Sequence, residues 1–373
     1  MATSPGHDRR PDGDPSARPP TRRAVSAALL SAVALGVAGC SSSGRTAAPA
    51  DRPTPTPSPE PTPTPTPEPA RWPLTGIEVD GDVPDRPALS VKIENSPEAR
   101  PQTGLDQADV VFEELVEGGI TRFNAVYHSV VPGELGPIRS IRPMDAAIAG
   151  PFGGMLAFSG GQPGYVSRAQ DAGLTVASFD AGDAGFFRLD GRVAPHNVYG
   201  RGEDLLAQAR GTAGPPEEIL AFAAEADAAS ATAGTTTDRI SLTFPAASPG
   251  WRWEPRARLA RAAGTGAWRR TEDGRAQSTA DGRALRAANV VVLRVQVRAT
   301  GRLDAAGSPV PETVLTGEGD GVVFSRGHAA PIRWAKGRAA GPLELRGDDD
   351  EPVRLAPGPT WIELLPRSAG LAY

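Results

Sequence analysis

Proline stands at every second position from Pro53 to Pro69, with Thr, Ser or Glu between. Such a run carries no apolar side chains for a core, lacks every second backbone donor and favours polyproline II. No helix or sheet runs through it, so the chain divides into a short leader and one long foldable part. At about 3.1 Å per residue, the stretch from Ser41 to Ala70 would reach roughly 90 Å. We read residues 40–70 as a stalk, stiff or merely disordered, whose Thr-Pro repeats also suit O-glycosylation.

The leader has the layout of an export signal. A basic stretch ends at Arg22-Arg23, an apolar run follows from Ala24 to Ala38, and Val37-Ala38-Gly39-Cys40 closes it with small residues. A membrane-spanning helix takes about 20 apolar residues, and only about 15 are present. Residues 1–39 therefore read as a signal peptide ending in a lipobox, with Cys40 becoming the lipidated mature N-terminus. The paired Arg also suits twin-arginine export, so the route stays open. Cys40 is the chain's one cysteine; once it carries diacylglycerol, neither a disulfide nor a thiol nucleophile is available. The expected location is the outer face of the cytoplasmic membrane, held there by the lipid alone.

Composition narrows the partners. The 373 residues carry 39 basic and 44 acidic side chains, a net charge of -5, which gives no basic field for nucleic acid. Abundant Ala, Gly and Pro suggest a high-GC bacterial source. Lysine occurs only at Lys92 and Lys336, so positive charge is almost all arginine, whose planar fork suits oxyanions.

Beyond the stalk the patterning changes once. Residues 71–210 mix the two kinds of element: strands at 88–95, 109–117, 120–129, 155–159 and 174–179, and helices from Asp145, at 164–172 and at 203–210. Gly118-Gly119 between two alternating runs predicts a two-residue hairpin turn, which would put Glu113 opposite Asn124. Glu113, Glu117, Arg122 and Asn124 would then share one side of the ribbon, with Phe112, Glu114 and Phe123 on the other. Residues 211–238 read as a linker or crossover with a short helix at 216–226. Residues 239–373 read as β-rich, with strands at 240–244, 251–260, 289–299, 321–325 and 360–365. The predicted fold class is α+β: a layered sheet-and-helix N-terminal domain followed by a β-rich C-terminal domain.

Several separated motifs occur in one order: Pro73-Leu74-Thr75-Gly76, the run from Asn95 to Pro101, Glu117-Gly118-Gly119-Ile120-Thr121-Arg122, Gly136-Pro137-Ile138-Arg139-Ser140-Ile141-Arg142-Pro143, Ala194-Pro195-His196-Asn197, Asn289-Val290-Val291-Val292 and Pro357-Gly358-Pro359-Thr360-Trp361-Ile362. Together they resemble the YerB-like bacterial lipoproteins, a pair of adjacent domains of unknown function. The resemblance implies a secreted lipoprotein with an α+β first domain and a β-rich second one, and implies no activity.

The chemistry has to come from the residues. Arg139 and Arg142, with Ser140 between them in a proline-bounded segment and Arg122 nearby, form a candidate anion site. The opposing reading pairs these arginines with Glu113 or Glu117 in a structural network. His196 and Asn197 sit on a predicted loop, where the imidazole would serve as acid, base or loop anchor. Glu113, Glu117, Asn124, Asp145, His196 and Asn197 complete the polar candidates. No set of metal-ligand spacing and no nucleophile elbow occurs, so neither metal nor cofactor is expected. Glu113 and Glu117 would lie about 13 Å apart on a strand, too far for a glycosidase pair. Trp251 and Trp253, two apart, read as core in preference to a sugar platform. The favoured reading is a lipid-anchored module that binds an anionic wall polymer or an envelope protein. The alternative is an enzyme acting on a phosphate-containing wall glycan or lipid-linked precursor.

Overall fold

In Leu89–Glu94, apolar Leu89, Val91 and Ile93 alternate with Ser90, Lys92 and Glu94, a period of two that puts the two sets on opposite faces of a strand. All six are buried, so this strand is covered on both sides, and its polar set needs partners. The computed structural model describes residues 69–373 apart from 210, 212, 213 and 263; Cys40, the signal peptide and the stalk up to residue 68 lie outside the described residues.

The N-terminal half supplies β1 (Leu89–Glu94), β2 (Val110–Leu115), β3 (Thr121–Tyr127), α1 (Asp145–Ala149), β4 (Met155–Phe158), α2 (Pro163–Asp171), β5 (Thr175–Ser178), β6 (Phe186–Arg188), β7 (Val198–Gly200) and α3 (Gly202–Ala207). The C-terminal half supplies β8 (Thr235–Thr236), β9 (Arg239–Thr243), β10 (Pro249–Glu254), β11 (Ala267–Glu272), β12 (Arg275–Ala276), β13 (Arg286–Ala287), β14 (Asn289–Leu303), β15 (Pro309–Val314), β16 (Gly317–Ser325), β17 (His328–Lys336), β18 (Glu344–Arg346), β19 (Thr360–Pro366) and β20 (Gly370–Ala372). The composition is mainly strand with few helices, which agrees with α+β at that coarse level.

The strands do not sort into one sheet per half. A twelve-stranded mixed sheet runs β18-β17-β16-β14-β19-β2-β3-β1-β4-β5, with β15 added on β14 and β8 on β17. β19, from near the C-terminus, lies between β14 and β2 and is parallel to both. The two expected parts thus share one sheet, and the described residues 69–373 lie in one compact unit. The physical reason lies in β19, whose Trp361, Ile362, Leu364 and Leu365 are buried on both faces and need a strand on each side. A six-stranded sheet, β12-β11-β10-β9-β20 with β13 on β11, packs against one face of the large sheet. Trp251 and Trp253 of β10 join this interface, as the core reading expected.

Two local expectations are also corrected. Residues 216–226 do not form a helix. Leu220 and Phe222 are buried in extended chain, and Phe222 bridges Leu355. The β2–β3 turn is one residue longer than predicted. Val116 N–H donates to the Ile120 carbonyl at 2.9 Å, Glu117 joins the turn, and Gly118 and Gly119 take positive φ there. The register therefore pairs Glu113 with Phe123 and Glu114 with Arg122. A one-residue change sends every side chain of a strand to the other face. Glu113 thus leaves the side of Arg122 and Asn124, and Glu114 takes its place.

Between the two sheets lies a charged group that nothing in the sequence announced. The fully buried Arg270 of β11 contacts Glu113 at 2.8 Å, Glu272 at 3.0 Å and Glu363 at 3.3 Å. Its guanidinium also lies over the rings of Phe123, Trp251 and Trp361. Burial works against its charge, but Glu113, Glu363 and Glu272 outweigh that and hold its pKa above the ordinary arginine value. A second tie between the halves is Arg261, which donates to Asp109 at 2.6 Å.

Glu113 makes a pH dependence predictable. Burial pushes its carboxyl up to about 8; Arg270 opposes this and Glu363 adds to it. Between the ordinary 4.5 and about 8 the folded chain keeps this proton while the unfolded chain releases it. Its contribution to stability is therefore complete below pH 4.5 and is lost as pH rises through 8. Urea midpoints should fall from pH 5 to pH 8 in the natural protein, and Glu113→Gln should flatten that slope. Glu272, shifted in the same direction, leaves some slope behind. An identical slope in the variant would count against this assignment.

Candidate functional site

The other face of the large sheet carries the polar set of β1. Cross-strand neighbours there are Glu94 with Arg122 and Lys92 with Asn124, and on β2 Glu114 lies beside Arg122. The segment Gly136–Pro143 runs past this end of β1: Arg139 N–H donates to the Lys92 carbonyl and Glu94 N–H to the Pro137 carbonyl. Gly136, at φ 153°, leaves room for the ring of Tyr199, which a Cβ would meet at 2.8 Å. Pro143 then ends the segment, and α1 begins with Asp145 facing the sheet.

The innermost layer is closed to solvent. Lys92 Nζ contacts Asp145 Oδ1 at 2.9 Å and also touches Glu114; Asn124 donates to the same Asp145 oxygen at 3.0 Å. Burial, outweighing Asp145, lowers the Lys92 pKa to about 8. Above this layer, Arg142 binds Glu117 through a two-bond fork, Nε at 2.5 Å and Nη2 at 2.7 Å, and its backbone N–H donates to Asp145 Oδ2 at 2.6 Å. Arg122 lies 3.8 Å from Glu117 and donates to the Ser140 carbonyl at 3.1 Å. Burial, with Arg142 adjacent, lowers the Arg122 pKa to about 10.

The outermost layer is open. Arg139 Nε and His196 Nδ1 both lie on Glu94 Oε1, at 3.1 and 3.0 Å, and each side chain is 23% exposed. Ser96 Oγ donates to the same oxygen at 3.2 Å. Among the described residues, neither terminal nitrogen of Arg139 nor Nε2 of His196 has a protein partner. Ser140 Oγ faces Ser159 Oγ at 3.4 Å.

The sequence-predicted residues therefore divide. Arg139, Ser140, His196, Arg122, Arg142, Glu117, Asn124 and Asp145 gather on one face under one segment. Arg142 and Arg122, two of the expected ligands, are buried beside Glu117, the pairing of the opposing reading. Glu113 is corrected to the opposite face, paired with Arg270. Asn197 stands apart, accepting from Arg188 at 2.7 Å and so holding the loop that carries His196.

Sequence reasoning missed Lys92, Glu94 and Glu114. The first two carried a signal: Lys92 is one of two lysines in the chain, and the β1 alternation puts it on one face with Glu94. Glu114 was hidden by the register. In charge the network is balanced, with Lys92, Arg122, Arg139 and Arg142 against Glu94, Glu114, Glu117 and Asp145. What it offers a partner is therefore hydrogen-bond donors at its rim, and no net field. Among the described residues no cluster of His, Cys, Asp and Glu has the make-up of a metal site.

Residues 74–214 match the family described as protein of unknown function (DUF3048), N-terminal domain, and residues 240–362 match its C-terminal domain. YerB of Bacillus subtilis (strain 168), named as a lipoprotein, is 36% identical over 128 residues. That stretch is 34% of this chain and spans 39% of the length of the relative. The crystal structure of Bacillus subtilis YerB superposes with a TM-score of 0.66 at 22% identity, covering 82% of this chain and all of the other. At that identity the likeness is one of fold.

Proposed function

The chain belongs to the DUF3048 family of YerB-like proteins, whose two domains it matches in order, and on that premise we propose that it is a lipid-anchored extracytoplasmic module that binds an anionic envelope polymer. The lipobox at Cys40 and the lipoprotein name of the Bacillus relative support the anchor. Among the described residues no helix is long and apolar enough to cross a membrane. The observation that carries the binding role is Arg139. Its Nε lies 3.1 Å from Glu94 Oε1 as an ion-pair contact without hydrogen-bond geometry, and among the described residues neither terminal nitrogen has a partner, beside the open Nε2 edge of His196. A guanidinium with both terminal nitrogens open presents a two-pronged donor, the geometry that phosphate and carboxylate accept.

Poly(glycerol phosphate) is a suitable probe. Arg139→Ala should weaken its binding at least tenfold, measured at a temperature where circular dichroism shows the variant folded, since the change also takes one of three contacts from the buried Glu94. Arg142→Ala should instead cost about 3 to 5 kcal/mol, because it strands the buried Glu117. Equal binding by the natural protein and the Arg139 variant would end the proposal. The anchor has its own test: Cys40→Ala should move the protein from the membrane to the soluble fraction, and fatty-acid labelling that survived the change would refute lipidation at Cys40.

A further inference from the structure

On the same side of the large sheet, α1 and α2 face β15 across a groove of about 490 Å³, within the range of small-molecule sites. None of its lining residues belongs to the Arg139–His196 rim. The groove exists because its floor is built from small side chains: Ala146, Ala147, Ala172, Ala339 and Ala340. The loop bearing the last two closes one end, approaching Gly150 to within 3.1 Å of where a Cβ would stand.

The charged residues of the groove are three arginines and two carboxylates. Arg168 and Arg298 share the single carboxylate of Glu312, at 3.0 and 2.8 Å. Arg338 is exposed, and among the described residues its side chain has no hydrogen-bond or ion-pair partner. With Asp171 the only other carboxylate among the lining residues, the sum is one positive charge. Thr313, 2% exposed, lines the wall with its Oγ1 unpartnered, and a buried hydroxyl without a partner is uncommon in a closed structure. No lining residue is aromatic, so the floor offers a sugar or a base nothing to stack on. An aliphatic chain needs only apolar area, and a guanidinium binds phosphate through two parallel bonds.

We propose that this groove holds a single-chain amphiphile with a phosphate headgroup, the phosphate on Arg338 at the rim and the alkyl chain along the alanine floor. The ligand bridges the two halves of the chain, since the helices come from one and the β15 wall and Arg338 from the other.

Titrating the full chain with dodecyl phosphate below its micelle concentration tests this by calorimetry. One site per chain is expected, with inorganic phosphate and dodecyl maltoside each binding at least tenfold more weakly. Arg338→Glu and Ala147→Trp should each weaken dodecyl phosphate at least tenfold, and Arg139→Ala should leave it unchanged. If the tryptophan does not fit and the variant fails to fold, Arg338→Glu decides, since that side chain is exposed. Absence of saturable binding overturns the proposal, as does equal affinity for the maltoside or for the Arg338 variant. Loss of binding in Arg139→Ala alone would move the ligand to the other site and also overturn it.

Discussion

Replacing Arg270 with alanine is expected to unfold the protein at ambient temperature, or to leave it with a small fraction of its stability. The guanidinium is fully buried between the two sheets and contacts Glu113, Glu272 and Glu363, which are themselves buried. Removing it leaves Glu272 and Glu363 without a counter-charge in a medium that solvates them poorly, and Glu113, which holds its proton, without its neighbour. Breaking a single buried pair costs about 3 to 5 kcal/mol, and here Glu272 and Glu363 both lose their donor. Total stability of ordinary domains is only about 5 to 15 kcal/mol. The loss of the ring contacts with Phe123, Trp251 and Trp361 adds to this. Denaturant melts of Arg270→Ala measure it. A second variant separates stranded charge from lost packing: Arg270→Met with Glu113→Gln and Glu363→Gln should recover much of the loss. A fully stable Arg270→Ala protein would show that the network contributes nothing.

Residues 69–214 expressed alone are expected not to fold, although a complete family domain is present in them. In the whole chain β2 is flanked by β3 and β19, and β19 belongs to the other half. Without it, β2 becomes an open edge lined by Val110, Val111 and Phe112, the kind of strand that templates aggregation. The sheet face around Phe123 would also lose partners, since its ring lies against Trp361 and beneath the Arg270 guanidinium. The fragment should be insoluble or melt without cooperativity, and co-expression with residues 215–373 should restore a soluble complex. A cooperative melt of the isolated fragment would contradict the shared sheet.

These two expectations rest on contacts that the sequence did not announce, whereas much else was legible in it. The alternation in Leu89–Glu94, the apolar β14 and β19 and the helix starting at Asp145 were all readable, because local pattern depends on neighbours within one turn or one pleat. So was the gathering of Arg139, Ser140, Asp145 and His196 as one polar set, and the opposing reading of Arg142 with Glu117 was already posed. The turn at Gly118-Gly119 was found but its length was not. Two- and three-residue loops share their glycines, and the difference of one residue exchanged Glu113 for Glu114 in the site.

By itself the sequence determined where most of the strands and helices lie, and that arginine carries the charge of the site. Only the tertiary structure decided that β19 enters between the halves, that Arg270 sits between the sheets, and that Arg139 alone among the site's arginines keeps a free edge. The physical reason is one of range. A strand's period shows how much of it is buried, but its partner is set by which surfaces hundreds of residues apart can bury each other, and a buried charge is placed by partners on other strands.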